Sequence, residues 1–90
     1  MSRVSHSEMR SRLMPVIGAC LRLSRLGAEL SISMVEWALK SKTTLHSFKS
    51  TTELLSGILK AKAYQEEKRN LGRIPDVTET TEIVFNELNI

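Results

Sequence analysis

Cysteine occurs once in the 90 residues, as Cys20. One thiol cannot close an internal disulfide, so the chain is not a stapled secreted scaffold. On an apolar helix face it reads as a small buried hydrophobe. Aromatic residues are nearly as scarce: Trp37, Phe48, Tyr64 and Phe85. Only Tyr64 falls near the main cluster of basic residues, which leaves the stacking platforms of single-strand nucleic-acid binding missing. Asn-Gly and Asp-Gly dipeptides are absent. With apolar spacings of three, four and seven dominating, this excludes a hairpin-rich β fold and points to an all-α domain. Long apolar runs are lacking too. Arg22, Arg25, Glu29 and Glu36 interrupt every 18-residue window of 15–41, so no transmembrane span is expected.

Processing signals are equally thin. Ile17-Gly18-Ala19-Cys20 resembles a lipoprotein cleavage box over those four residues alone. The apolar run before it is only Leu13 to Ile17, broken by Pro15, where a signal core needs about 7–15 apolar residues. Ser2 stands where myristoylation needs glycine, and no Asn-x-Ser/Thr acceptor is present. An intracellular protein, cytoplasmic or nuclear, is the expectation. The machinery of catalysis is also missing. There is no Gly-rich phosphate loop and no His-Glu metal motif, and no cluster supplies nucleophile, base and orienting group. Glu66 and Glu67 are adjacent and would point about 100° apart on a helix. His6 and His46 each stand alone. No enzyme, cofactor or metal site is expected.

What is present is one dominant stretch, Pro15 to Ser41, expected as a single helix about 40 Å long. Proline suits a first helical turn, so residues 1–12, which include Arg3, Arg10 and Arg12, are expected as a mobile basic arm with Ser7 capping at most a short turn. The polar positions Arg22, Arg25, Glu29, Ser33, Glu36 and Lys40 form one narrow line. Two apolar stripes flank it. One holds Val16, Cys20, Leu23, Gly27, Leu30, Met34 and Trp37; the other holds Ile17, Leu21, Ala28, Ile32, Val35 and Leu39. The small residues Ser24, Gly27, Ala28 and Ser31 offer a helix crossing. A break is expected over Lys42–Lys49, with Leu45 and Phe48 folding back near Trp37. Ser50-Thr51-Thr52-Glu53 is a capping box, so a second helix should run from about Thr51 to Asn70. Gly72 then supplies a left-handed C-terminal residue and Pro75 a stop. Residues 75–90 form an acidic segment, expected as a short helix capped by Asp76 or Thr78, with an extended tail as the rival because its Thr and Val residues favour strands.

These elements predict a helical hairpin, about 15–41 against 51–70, plus the short C-terminal helix. Two stripes on one helix exceed what a 20-residue partner covers. A homodimeric helical bundle is therefore expected, or a stable partner protein in place of the second copy, with Leu23, Gly27, Leu30, Met34 and Trp37 at the interface. The net charge is +3 and the pI about 9.4, but the distribution is polarised. Residues 1–25 carry five arginines against Glu8, while 74–90 carry four acids and no base. Antiparallel packing would gather Arg10, Arg12, Arg22 and Arg25 with Lys60, Lys62, Lys68, Arg69 and Arg73 into one pole, with the acidic tail as an internal modulator. The expected function is a small non-enzymatic, homodimeric interaction or regulatory protein. The alternative is binding to duplex RNA or DNA backbone through Arg22, Arg25, Lys60, Lys62, Lys68 and Arg69. Attachment to anionic membranes through the basic arm is a weaker third reading.

Overall fold

The computed structural model describes residues 5–42 and 51–90. Among them are four helices and no strand: α1 (His6–Arg25), α2 (Ile32–Lys42), α3 (Thr51–Asn70) and α4 (Val77–Leu88). The all-α class holds. Of the break expected over Lys42–Lys49, Lys42 closes α2; the rest, together with Ser50 of the capping box, lies outside the described residues.

The single 15–41 helix does not form. Its start lies earlier and it is interrupted in the middle. Ser5 is the N-cap of α1, accepting from the Glu8 amide at 3.2 Å, so Ser5-x-x-Glu8 provides the entry signal and residues 6–12 are helical rather than an arm. Pro15 sits inside α1. It and Ser11, whose carbonyl it leaves without a helical donor, are both exposed, so water can serve that carbonyl. The interruption comes at Gly27, whose φ is +104°. The Gly27 amide donates to the Ser24 carbonyl and the Ala28 amide to the Leu23 carbonyl, at 3.1 and 3.0 Å. This is a Schellman ending, which needs a left-handed residue that glycine supplies without steric cost. The chain restarts at Ser31, whose hydroxyl accepts from the Met34 amide. Gly27 is thus a stop, not a crossing point, and an added Cβ there meets nothing within 4 Å.

The other helices follow their local signals. α3 ends in the same way as α1, with Gly72 at φ +81° and the Arg73 amide bonded to the Lys68 carbonyl at 2.8 Å. Asp76 caps α4 through the Glu79 amide at 2.8 Å. Thr80 and Thr81 turn their hydroxyls onto the Asp76 and Val77 carbonyls of their own helix. That satisfies them while they are buried and offsets the strand preference of this segment.

With the helix broken, both of its halves pack onto one core. Leu13, Val16, Ile17 and Cys20 of α1 form one core with Val35 and Ala38 of α2, Leu54, Ile58 and Ala61 of α3, and Val84 and Phe85 of α4. α4 packs antiparallel on α3, with Gly57 beside Val84, Ser56 and Lys60 beside Glu87, and Tyr64 beside Glu79. α4 is also antiparallel to α1. Arg10 donates to the Ile90 carbonyl and to Glu82, and stands 5.2 Å over the Phe85 ring. It follows that α1 and α3 run in the same direction. The long antiparallel hairpin is therefore built by α3 and α4, not by 15–41 and 51–70.

The five expected interface residues share no stripe. Gly27 is in the turn, Leu30 and Met34 pack against the core, Leu23 is half-buried, and Trp37 is exposed. Cys20 is wholly buried, and burial pushes its thiol up to about 11. Since the thiolate is the reactive form, an aromatic disulfide reagent at neutral pH is expected to label the native chain slowly and the denatured chain at once. Fast native labelling contradicts this packing.

Candidate functional site

The parallel course of α1 and α3 brings both of their C-terminal ends beside the N-terminal end of α4. Three adjoining cavities of about 410, 340 and 220 Å³ open there. Arg25 and Gln65 line all three, so they form one groove. Its cationic side is Arg22 and Arg25 from the last turn of α1, with Lys62 and Arg69 from α3. Its apolar side is Leu21, Leu26, Ile74 and Val77. Leu26, Ile74 and Val77 are 78, 84 and 65 % exposed, far more than a core requires. Between α1 and α3 the floor is Ser24, whose hydroxyl is buried with no hydrogen-bond partner among the described residues.

The arginines of the groove are not neutralised by the acids of α4. α4 spends its acids on other cations: Glu82 on Arg10, Glu87 on Lys60, and Glu79 on Arg73. Glu8 holds Arg12 within α1. Two acids lie in the groove and both are engaged, Glu66 with Lys62 at 3.9 Å and Asp76 with the Glu79 amide. Arg22, Arg25 and Arg69 have no carboxylate partner among the described residues. They do lie near the carbonyl ends of α1 and α3, where a cation is favoured.

Of the six cations read as phosphate contacts, the fold brings together Arg22, Arg25, Lys62 and Arg69. Lys60 is tied to Glu87, and Lys68 stands 5.4 Å over the Tyr64 ring. The acidic segment is a core helix rather than a flap over a pole. Leu26, Gln65, Ile74 and Val77 escaped the sequence reading. The available signal was position: Leu26 precedes Gly27, and Ile74 precedes Pro75, so both fall where a helix has stopped and no core face exists.

A polar latch holds the groove's outer wall. Tyr64 donates to Glu79 at 2.7 Å, and Arg73 donates to Tyr64 at 3.0 Å and to Glu79 at 2.7 Å. This pins the 71–76 connection, which carries Ile74 and Pro75. The Tyr64 and Arg73 bonds hold the Glu79 carboxyl below the usual glutamate range. Its share of stability is therefore present above that range and is lost as pH falls through the lowered value. The Glu79 bond pushes the Tyr64 hydroxyl above its ordinary value, so that share is present below about pH 10 and is lost as pH rises through the raised value. The midpoint difference between the native chain and Tyr64→Phe is expected to be widest from about pH 5 to about pH 9 and to close at both extremes. A difference independent of pH would remove the latch.

Among the described residues no helix is long and apolar enough to cross a membrane, and no group of three His, Cys, Asp or Glu residues is placed to hold a metal ion. No family model matches the chain, and neither does any curated protein or solved structure.

Proposed function

We propose that this chain is a non-enzymatic helical interaction protein whose working surface is the groove at the shared end of α1, α3 and α4. One observation carries the reading: arginines without carboxylate partners among the described residues stand beside large apolar side chains that the fold leaves exposed. Contiguous apolar surface rimmed by polar groups marks interaction sites more often than it marks idle surface. Arginine is also favoured over lysine at protein contacts.

The test is comparative capture. Proteins held by the native chain should be released by Arg25→Gln/Arg69→Gln and kept by Lys40→Glu, a charge change on α2. Retention indifferent to the groove contradicts the proposal. Assembly into a homodimer would use α2, where Ile32 and Trp37 stay exposed. Sedimentation at high micromolar concentration reads it, and a monomer there removes the dimer without touching the groove.

A second reading, contact with duplex RNA or DNA backbone, is favoured by the same unpaired arginines. A gel shift at about 50 mM salt that weakens steeply as salt rises supports it. No shift with tens of micromolar protein excludes it.

A further inference from the structure

We infer, resting on the interaction reading, that the groove takes an acidic segment of a partner protein, one that carries a large apolar side chain close to its carboxylates. The charge balance within the groove points to an anion. Among the described residues that line the groove, Arg22, Arg25, Lys62 and Arg69 face only Glu66 and Asp76; Glu66 pairs with Lys62 at 3.9 Å and Asp76 accepts from the Glu79 amide. The acids of α4 that might have neutralised the arginines are held by Arg10 and Lys60, or by Arg73 on the outer wall. The carbonyl ends of α1 and α3 would repel an anion. Here the Leu23, Ser24, Lys68 and Arg69 carbonyls are occupied by their own Schellman hydrogen bonds.

The apolar half of the groove separates a protein from a nucleic acid. Leu26, Ile74 and Val77 lie among the cations. A duplex backbone presents phosphates and sugars, which gain nothing from that wall and would desolvate against it. A peptide can set a Leu, Ile or Phe side chain against Leu26 and Val77 and turn a carboxylate to Arg25 and Arg69. Bidentate pairing of guanidinium with carboxylate gives that contact direction as well as strength. Among the described residues no aromatic side chain lines the groove, and Tyr64 is engaged by Glu79 and Lys68, so the groove offers no platform for a stacked base.

The experiment is selection of a random twelve-residue peptide library, displayed on phage, against the full chain. A fluorescent consensus peptide is then titrated. Enrichment of Asp and Glu together with Leu, Ile or Phe is expected. Binding should fall about tenfold in Arg25→Gln/Arg69→Gln, in Val77→Asp, and between about 50 and about 500 mM salt. It should be unchanged in Lys40→Glu. Val77 is exposed and opens α4, where an acid suits the helix dipole, so helical circular dichroism should match the native chain. Enriched peptides that need the groove but are neutral or basic overturn the acidic partner and leave the interaction reading in place. Peptides indifferent to the groove variants, or no enrichment, overturn both. A 20-base-pair RNA duplex that displaces the peptide at equal or lower concentration makes phosphate backbone the occupant and likewise overturns the inference.

Discussion

A chain cut after Ile74 is expected to lose its cooperative unfolding transition. The cut removes α4, and with it Val84 and Phe85, which are 0 and 3 % exposed, and the partly buried Ile83 and Leu88. Full burial of each Val- or Phe-sized side chain stabilises by about 1.5–3 kcal/mol, so these four together contribute roughly 4–8 kcal/mol. Leu54, Ile58 and Ala61 of α3 would also lose the helix that covers them. A domain of this size has roughly 5–13 kcal/mol in all, so the loss is comparable with the whole stability. Heating the cut chain while following circular dichroism should give a broad, non-cooperative decline, and the chain should bind an apolar dye. The same cut also separates two accounts of the acidic segment. A tail that merely shields cations would leave a folded chain with raised affinity for polyanions. A sharp transition near that of the native chain would show that α4 is dispensable and that the packing described here is wrong.

Gly57→Leu has the next largest expected effect. A Cβ at Gly57 would stand 3.1 Å from Val84 Cγ1 and 3.3 Å from Val84 Cα. The second of these is backbone and cannot rotate away. Leucine must therefore push α3 and α4 apart at the place where they approach most closely among the described glycines. Overpacking of this kind costs about 1–3 kcal/mol or more, while replacing a helical glycine returns about 1 kcal/mol of helix propensity. For leucine the clash wins, with a net loss of about 1–2 kcal/mol and a melting temperature lower by about 5–15 °C. For Gly57→Ala the two effects nearly cancel. Thermal unfolding of both variants checks this, and a leucine variant as stable as the native chain would show that the helices do not cross there.

The span of α3 was legible, because its ending signal is local. Gly72 needs no tertiary partner to end a helix, and the helix runs over the expected Thr51–Asn70. Asp76 announced α4 in the same way. Residues 15–41 misled because apolar periodicity persists across the Leu26–Ser31 break, so the face pattern outvoted the stop at Gly27 and the restart at Ser31. Leu26-Gly27 and Leu71-Gly72 are the same ending. Reading both alike would have divided the rod. Gly57 had no signature in the sequence. A glycine required by a neighbouring helix is indistinguishable from a tolerated one until the neighbour is placed. The groove was half legible for a related reason. Its cations stand out by charge, whereas which of them α4 neutralises depends on how the helices are directed. Its apolar wall comes from turn residues that belong to no periodic face.

The groove exists because α1 ends where it does. If the helix ran on past Arg25, the chain could not turn at Leu26, and Arg22 and Arg25 would lie along the side of a rod instead of beside Arg69 and Val77. Backbone Cα chemical shifts across Leu21–Leu39 test this directly. Helical values through Arg25, their loss from Leu26 to Ser31, and their return at Ile32 are the expected result. Unbroken helical shifts through Gly27 to Leu39 would contradict it, and the four-helix core and the groove would fall together.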